Sequence, residues 1–227
     1  MSLYESGQNF LIKSLKDRYS YNFTFKGIPI IQYPQDLIAL QMITWSIKPD
    51  LIIDIGIAKG GSLLYHASNL HLLKRSLKSK KKFKVLGVEL CLRKKNKQNI
   101  IKDDLFEYID IIEGNSISEE TKLKVKNYSK NFKKIMVILD SNHTHDHVLH
   151  ELEFYSKLVS KNSYCIVLDT IIEMLPKNYY KNRPWDKGNN PYTAVTQFLK
   201  KNKNFLVDKK IEQNLIITAG IKGYLKK

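Results

Sequence analysis

Between Tyr33 and Ile47 the apolar residues Leu37, Leu40, Ile43 and Trp45 recur at the spacing of one helix face, and Pro34 stands near the start, where a helix tolerates proline. This predicts a helix leading into the main domain. Beyond it, short runs rich in β-branched residues alternate with helical patterns: Leu51 to Ile55, Lys84 to Leu90, Ile109 to Glu113, Ile135 to Asp140, Tyr164 to Asp169, Phe205 to Lys209 and Asn214 to Ala219. Strands separated by helices imply a mostly parallel sheet covered on both faces. The runs from Ile135 and Tyr164 are almost wholly apolar, as strands buried on both faces should be. The last two runs are joined by only a few residues around Ile211 to Gln213, too few for a parallel crossover, so they should form an antiparallel hairpin at one edge. The expectation is an α/β fold with a seven-stranded sheet in a domain spanning 33–227. An N-terminal segment, 1–32, carrying Tyr19, Tyr21 and Phe23, precedes it.

Composition narrows the picture without redirecting it. With 227 residues, 43% of them hydrophobic, and only 10 Gly and 6 Pro, the chain suits a single sizeable core. No apolar run approaches the roughly 18 residues of a membrane span, and Met1 to Ile12 lacks a basic stretch followed by an apolar one, so a cytoplasmic protein is expected. Cys91 and Cys165 stand far apart without CxxC spacing, which argues against a disulfide framework or structural zinc and for two buried thiols. The formal charge of +16 invites a nucleic-acid partner. Yet 34 of the 38 cations are lysine, whereas guanidinium suits phosphate and base recognition better. The run Lys78 to Lys84 falls between a helix and a strand. It reads first as a solvated surface, leaving an acidic small substrate such as a nucleotide-linked sugar ahead of nucleic acid.

The strongest chemical signal is Asp54-Ile55-Gly56-Ile57-Ala58-Lys59-Gly60-Gly61-Ser62, directly after the first predicted strand and opening a helix. Ligands of open α/β sheets bind at the carboxyl ends of the strands, and glycine lets backbone approach them through unusual dihedrals. The spacing D-x-G-x-x-x-G departs from the G-x-G-x-x-G of dinucleotide sites, so no pyrophosphate need be cradled. Glu89 ends the second strand, where a carboxylate can accept hydrogen bonds from both hydroxyls of a ribose. The third strand ends in Glu113-Gly114-Asn115-Ser116, a polar turn placed for an adenine ring. In this order the three turns predict an adenosyl-ligand site at Asp54, Gly56, Gly60, Gly61, Ser62, Glu89, Asn115 and Ser116, with Asp140 completing it. The competing reading makes Asp54 a helix cap and Glu89 a surface residue.

A second constellation follows the fourth and fifth strands: Asp140-Ser141-Asn142-His143-Thr144-His145-Asp146-His147, and Asp169-Thr170. Carboxylates at adjacent strand ends, Asp140 and Asp169, can share a divalent cation, and hard oxygen ligands favour magnesium, calcium or manganese over zinc. The run also resembles the H-x-H-x-D-H signature of binuclear metallohydrolases but is one residue short, which would turn its ligands out of register. His147, His150 and Glu151 read as members of a helix capped by Thr144. His143 lies ahead of that helix, on the loop at the carboxyl edge of the sheet, and is the candidate proton acceptor together with Asp140.

Taken together, these segments resemble the cephalosporin hydroxylase family. Its members look like S-adenosylmethionine-dependent methyltransferases of the Rossmann-like class I fold, among them rhamnosyl O-methyltransferases. The resemblance rests on Lys48 to Gly56, Gly60-Gly61-Ser62-Leu63, Gly87-Val88-Glu89, Asp140 to Val148 and Gly188-Asn189-Asn190-Pro191, and it covers roughly Tyr33 to Leu225. It implies O-methyl transfer from S-adenosylmethionine to a sugar or other small polar acceptor. Asp54, Gly56, Gly60 and Glu89 would then contact the cofactor, and Asp140 and Asp169 would hold a magnesium ion. Two positions depart from the family pattern. Leu168 stands where an acidic pair would place a second carboxylate, and Asn115 replaces an aspartate in the third turn. The loop Ile171 to Asn190, with Tyr179, Tyr180, Arg183 and Trp185, follows the fifth strand and is placed to close over an acceptor. A nucleic-acid methyltransferase is the competing enzyme, but the N/D-P-P-Y-type turn it would need after the fourth strand is replaced by Asp140-Ser141-Asn142-His143. A non-catalytic adenosyl-ligand-binding protein is the third alternative, motivated by Leu168. The aromatic N-terminal segment is a candidate surface for a homo-oligomer.

Overall fold

A computed structural model describes residues 2–227. The first helix, α1 (Leu3–Lys16), is fixed at its start by a capping box in which Ser2 and Glu5 exchange side-chain and backbone hydrogen bonds. A 3-10 turn (Tyr19–Asn22) and a two-stranded hairpin, β1 (Thr24–Phe25) with β2 (Ile28–Pro29), lead to α2 (Pro34–Ile47). The predicted helix at Tyr33 to Ile47 is therefore present, with proline in its first turn and Tyr33 as its N-cap.

The alternation that follows is β3 (Leu51–Ile55), α3 (Gly61–Ser76), β4 (Lys84–Glu89), α4 (Lys94–Ile101), β5 (Ile109–Glu113), α5 (Glu119–Ser129), β6 (Ile135–Leu139), α6 (His145–Tyr155) and β7 (Tyr164–Val167). Then come α7 (Pro191–Lys201), β8 (Leu206–Val207), α8 (Lys209–Leu215) and β9 (Tyr224–Lys226). The main sheet has seven strands in the order β5-β4-β3-β6-β7-β9-β8. β3 to β7 run parallel, and β9 is antiparallel to both β7 and β8. This is the seven-stranded α/β arrangement expected from the pattern, and the Rossmann-like order that the resemblance implies. The order reverses between β3 and β6, and a crevice opens at the carboxyl ends of such a pair. β3 and β6 are buried along their whole lengths, and their alternate side chains feed two cores, one on each face of the sheet.

The last predicted strand is misplaced. Asn214 to Ala219 contains the end of α8 and a loop, and the final strand lies further on, at Tyr224–Lys226. The reason is a buried carboxylate. Asp36 of α2 accepts hydrogen bonds from the Thr218 hydroxyl, the Ala219 amide and the Tyr224 hydroxyl, so this apolar loop is pinned on α2 and its backbone is not free for the sheet. Ile211 and Leu215 pack on the core as helix residues, which explains the alternation that imitated a strand. Cys165 is buried as expected, but Cys91 is exposed, in the turn after β4. No helix among the described residues is long and apolar enough to cross a membrane.

Candidate functional site

β3 delivers the first turn. Gly56 sits at φ +106°, and a Cβ built on it would lie 2.2 Å from the Asp140 carbonyl oxygen. Only glycine allows the turns after β3 and β6 to touch here, and a hydrogen bond from the Asp140 amide to the Ile55 carbonyl, at 2.8 Å, locks that approach. Glu89 binds the turn from the other side. One carboxylate oxygen accepts the amides of Ile57 and Ala58, both at 3.0 Å, while the other accepts the Leu90 amide at 3.0 Å. Asp54, buried within β3, accepts a 2.8 Å hydrogen bond from the Ser62 hydroxyl, and burial pushes its carboxyl up to about 7.

A cleft of about 650 Å³ opens above these turns, bordered by Gly56, Glu89, Asn115, Ser116 and Asp140 among others. Five expected ligand positions therefore converge. Asp54, Gly60, Gly61 and Ser62 stand one layer behind them and do not border this cleft. Gly61 has a separate reason to be glycine, since a Cβ there would come within 2.5 Å of the Pro29 carbonyl oxygen, where the N-terminal hairpin lies on α3.

Under the floor of this cleft lies a network that the sequence pattern had assigned to an ordinary helix face. Glu151 of α6 is fully buried. One of its oxygens accepts the hydroxyls of Ser116 and Ser141, each at 2.6 Å, and lies 3.2 Å from His147 Nε2. Its other oxygen has no partner. The Ser116 hydroxyl thus turns inward, and Glu151 ties the third turn to the turn after β6. The spacing of His147 and Glu151 by four residues was the only sequence signal for this pair.

The second cavity, about 230 Å³, lies across Asp140 from the first. Donor atoms of Asp140, His143 and Asp169 fall within 4.8 Å of one another, and His143 Nε2 is 3.2 Å from Asp169 Oδ2. Desolvation, and then the neighbouring Asp169 carboxylate, push the Asp140 carboxyl well above the usual range. Two carboxylates and an imidazole so placed fit a divalent cation of the magnesium or manganese kind, whose charge would offset the repulsion within the pair. Leu168 is a buried core residue, and His143 supplies a third donor in the cluster. Gln32, from the N-terminal segment, donates to Asp140 Oδ2 at 2.9 Å. Sequence reasoning missed this contact, because Gln32 is 108 positions from its partner.

The remaining histidines do not converge on this cluster. His145 faces α7, with Nδ1 2.7 Å from Thr193 Oγ1 and Nε2 3.1 Å from Gln197 Oε1, while His150 bonds the Asp146 carbonyl. That disposition leaves no binuclear histidine site in the run His143 to His147. Thr144 is the N-cap of α6, although its hydroxyl donates to Asn142 Oδ1 rather than capping the helix. The loop Ile171 to Asn190 is fastened by Glu173, which accepts from the Gly188 amide and the Asn190 side chain. It brings Tyr180 to the second cavity, Arg183 to the rim of the first, and the Trp185 ring edge-on to His143 at 4.7 Å.

A family model described as rhamnosyl O-methyltransferase/CmcI matches residues 17–227. Among curated relatives, the rhamnosyl O-methyltransferase of Mycobacterium tuberculosis (strain H37Rv) is 27% identical over 154 residues, which are 67% of this chain and 59% of that protein. The chain thus spans less than two thirds of that relative's length. Among solved structures, one of CmcI with Mg and SAM aligns at a TM-score of 0.59 with 14% identity, covering 91% of this chain and 76% of the other. The O-methyltransferase from Bacillus cereus in complex with SAH aligns at 0.54 with 15% identity, covering 96% and 88%.

Proposed function

The chain belongs to the rhamnosyl O-methyltransferase/CmcI family, and from that premise we propose that it transfers a methyl group from S-adenosylmethionine to a hydroxyl of a sugar or other small polar acceptor. The observation that carries this reading is the position of Asp140, which borders both the 650 Å³ cleft and the 230 Å³ cavity. A donor in the first and an acceptor in the second would meet at this residue. S-adenosylmethionine supplies a methyl carbon activated by its sulfonium, and the transfer is an in-line displacement at that carbon. The protein's main task is then to hold the oxygen opposite the sulfur, and alignment of two bound partners is a large source of rate.

The lining of the cleft supports an adenosyl ligand there. Glu89, anchored to the turn amides, would face the ribose, and Asn115 and Ser116 would border the adenine. In the cavity, Asp140 and Asp169 would hold a magnesium ion, with Gln32 fixing one Asp140 oxygen. The chemistry such a cation would supply is Lewis acidity, which makes a nearby hydroxyl easier to deprotonate. His143, oriented by Asp169 at 3.2 Å and by the Trp185 ring, accepts the proton that leaves. The same imidazole is within reach of the cation position. His143→Ala, assayed for magnesium affinity as well as rate, separates its use as a base from its use as a ligand.

The test is a screen of nucleotide sugars and glycosides with labelled S-adenosylmethionine, with and without magnesium. Asp140→Ala should abolish transfer, by at least about a thousandfold, while calorimetry still detects S-adenosylhomocysteine. Retained turnover in that variant would remove Asp140 from the reaction.

A further inference from the structure

The cavity holding Asp140, His143 and Asp169 is smaller than the roughly 300–1,000 Å³ of ordinary ligand pockets, and it is not closed at its outer end. Leu15, Ser20, Tyr21 and Tyr180 line both this cavity and a second, outer cleft of about 680 Å³. An acceptor seated with its hydroxyl at Asp140 would therefore continue into the outer cleft. The charge changes sign along that path. Two carboxylates stand at the inner end, while Lys16, Arg18 and Arg183 stand around the outer one, which no acidic side chain among the described residues lines.

We propose that this outer cleft is an anion subsite, in which Lys16, Arg18 and Arg183 grip a phosphate or diphosphate group of the acceptor. The proposal rests on the O-methyltransferase reading and narrows it: the substrate is a phosphorylated sugar, not a neutral glycoside. Three observations carry it. The chain has only four arginines among its 38 cations, and Arg18 and Arg183 line this cleft, Arg183 bordering the 650 Å³ cleft as well. Guanidinium is the group whose fork matches phosphate oxygens, so this is not the lysine-coated surface found elsewhere on the molecule. Secondly, none of the three cations has a carboxylate partner among the described residues. The two guanidinium groups lie against aromatic rings, Arg18 6.0 Å from the Tyr21 ring and Arg183 5.1 Å from the Trp185 ring. Asp17, between Lys16 and Arg18 in the chain, makes no ion pair with them among the described residues, and its charge acts on Tyr179. Thirdly, Tyr179 also lines the cleft, and its hydroxyl is shielded from solvent without a hydrogen-bond partner. A buried donor left unmade is costly, and an anion in the cleft offers it an acceptor. Arg18 is itself held in the left-handed region, at φ 50° and ψ 41°, where the chain turns from α1 into the 3-10 segment. That turn puts Lys16 and Arg18 at one mouth.

The experiment is calorimetry of the full chain without metal, using inorganic phosphate and inorganic pyrophosphate as probes. Pyrophosphate should saturate a single site, and its Kd should rise at least tenfold in the double variant Lys16→Ala with Arg18→Asn, the asparagine being chosen because it tolerates a left-handed backbone. Melting temperature and affinity for S-adenosylhomocysteine should not change. Lys80→Ala with Lys81→Ala, on the lysine-rich loop, removes the same charge and should leave the Kd as it was. The tighter of the two probes tells whether one phosphate or two is gripped. An absence of saturable binding, or equal weakening in both double variants, would overturn the subsite. Failure of S-adenosylhomocysteine to bind the parent protein would instead overturn the methyltransferase reading, and leave the pyrophosphate result standing by itself.

Discussion

The two halves of the crevice are built from different kinds of sequence. The half proposed for the cofactor is made by three turns that each follow their own strand, and Gly56, Glu89, Asn115 and Ser116 come to it in chain order. The half proposed for the acceptor gathers Gln32, Asp140, His143, Asp169 and Tyr180, from the chain ahead of α2, two strand ends and a long loop. A site made of strand ends is fixed as soon as the sheet forms, because parallel register sets their positions. A site made of loops and an N-terminal strap is fixed only by contacts across the fold. Disruption should therefore be severe and global in the first half, and graded and local in the second.

The most damaging change tests the seam between them. Gly56→Val must relieve both a φ of +106° and a 2.2 Å overlap with the Asp140 carbonyl oxygen. A left-handed penalty and core overpacking together suggest a loss of about 3–5 kcal/mol in stability. S-adenosylhomocysteine binding should vanish from calorimetry; parent-like binding and melting would break the contrast.

Next in size is a pH effect confined to the cofactor half. Asp54 has its carboxyl raised from 3.8 to about 7, so the folded protein holds this proton more tightly than the unfolded chain does. The contribution to stability is fully present below pH 4 and is lost as pH rises through about 7, with an upper bound of about 4 kcal/mol. Asp54→Asn keeps an acceptor for Ser62, and its melting temperature should gain on the parent as pH goes from 5 to 8. A constant difference across that range would show that Asp54 titrates normally.

Smaller effects are expected in the acceptor half. Gln32→Ala removes one hydrogen bond to Asp140 and should slow turnover about tenfold, as a charged hydrogen bond of about 1.5–3 kcal/mol allows. Cofactor affinity and melting should stay near parental values. Trp185→Leu removes the ring packed on His143, an aromatic contact of about 1 kcal/mol, and should reduce kcat/KM about fivefold. If either change lowered S-adenosylhomocysteine affinity instead, the two halves would not be separable.

The same division explains what could be read from the chain. The helix at Tyr33 to Ile47, the five parallel strands and the glycine turn follow from local periodicity and from the backbone freedom of Gly56. The final strand was not legible, because Leu215, Ile217 and Ala219 alternate like strand residues while Asp36, some 180 positions away, pins that stretch as a loop. Glu151 was seen as a helix residue, and nothing in its neighbourhood shows that Ser116 and Ser141 will donate to it. Cys91, expected inside, falls on an exposed turn that its apolar neighbours do not betray.

Sequence by itself determined the order of the five parallel strands and the helices between them, the chemistry available at each of their ends, and the glycine without which two turns could not meet. Those are properties of residues and their near neighbours, where periodicity and steric limits act. Tertiary structure alone decided which strand ends face one another, that an N-terminal glutamine would steady Asp140, and that two of four arginines would share one mouth. Such choices depend on burial and charge between segments far apart in the chain, and only packing brings those segments within reach.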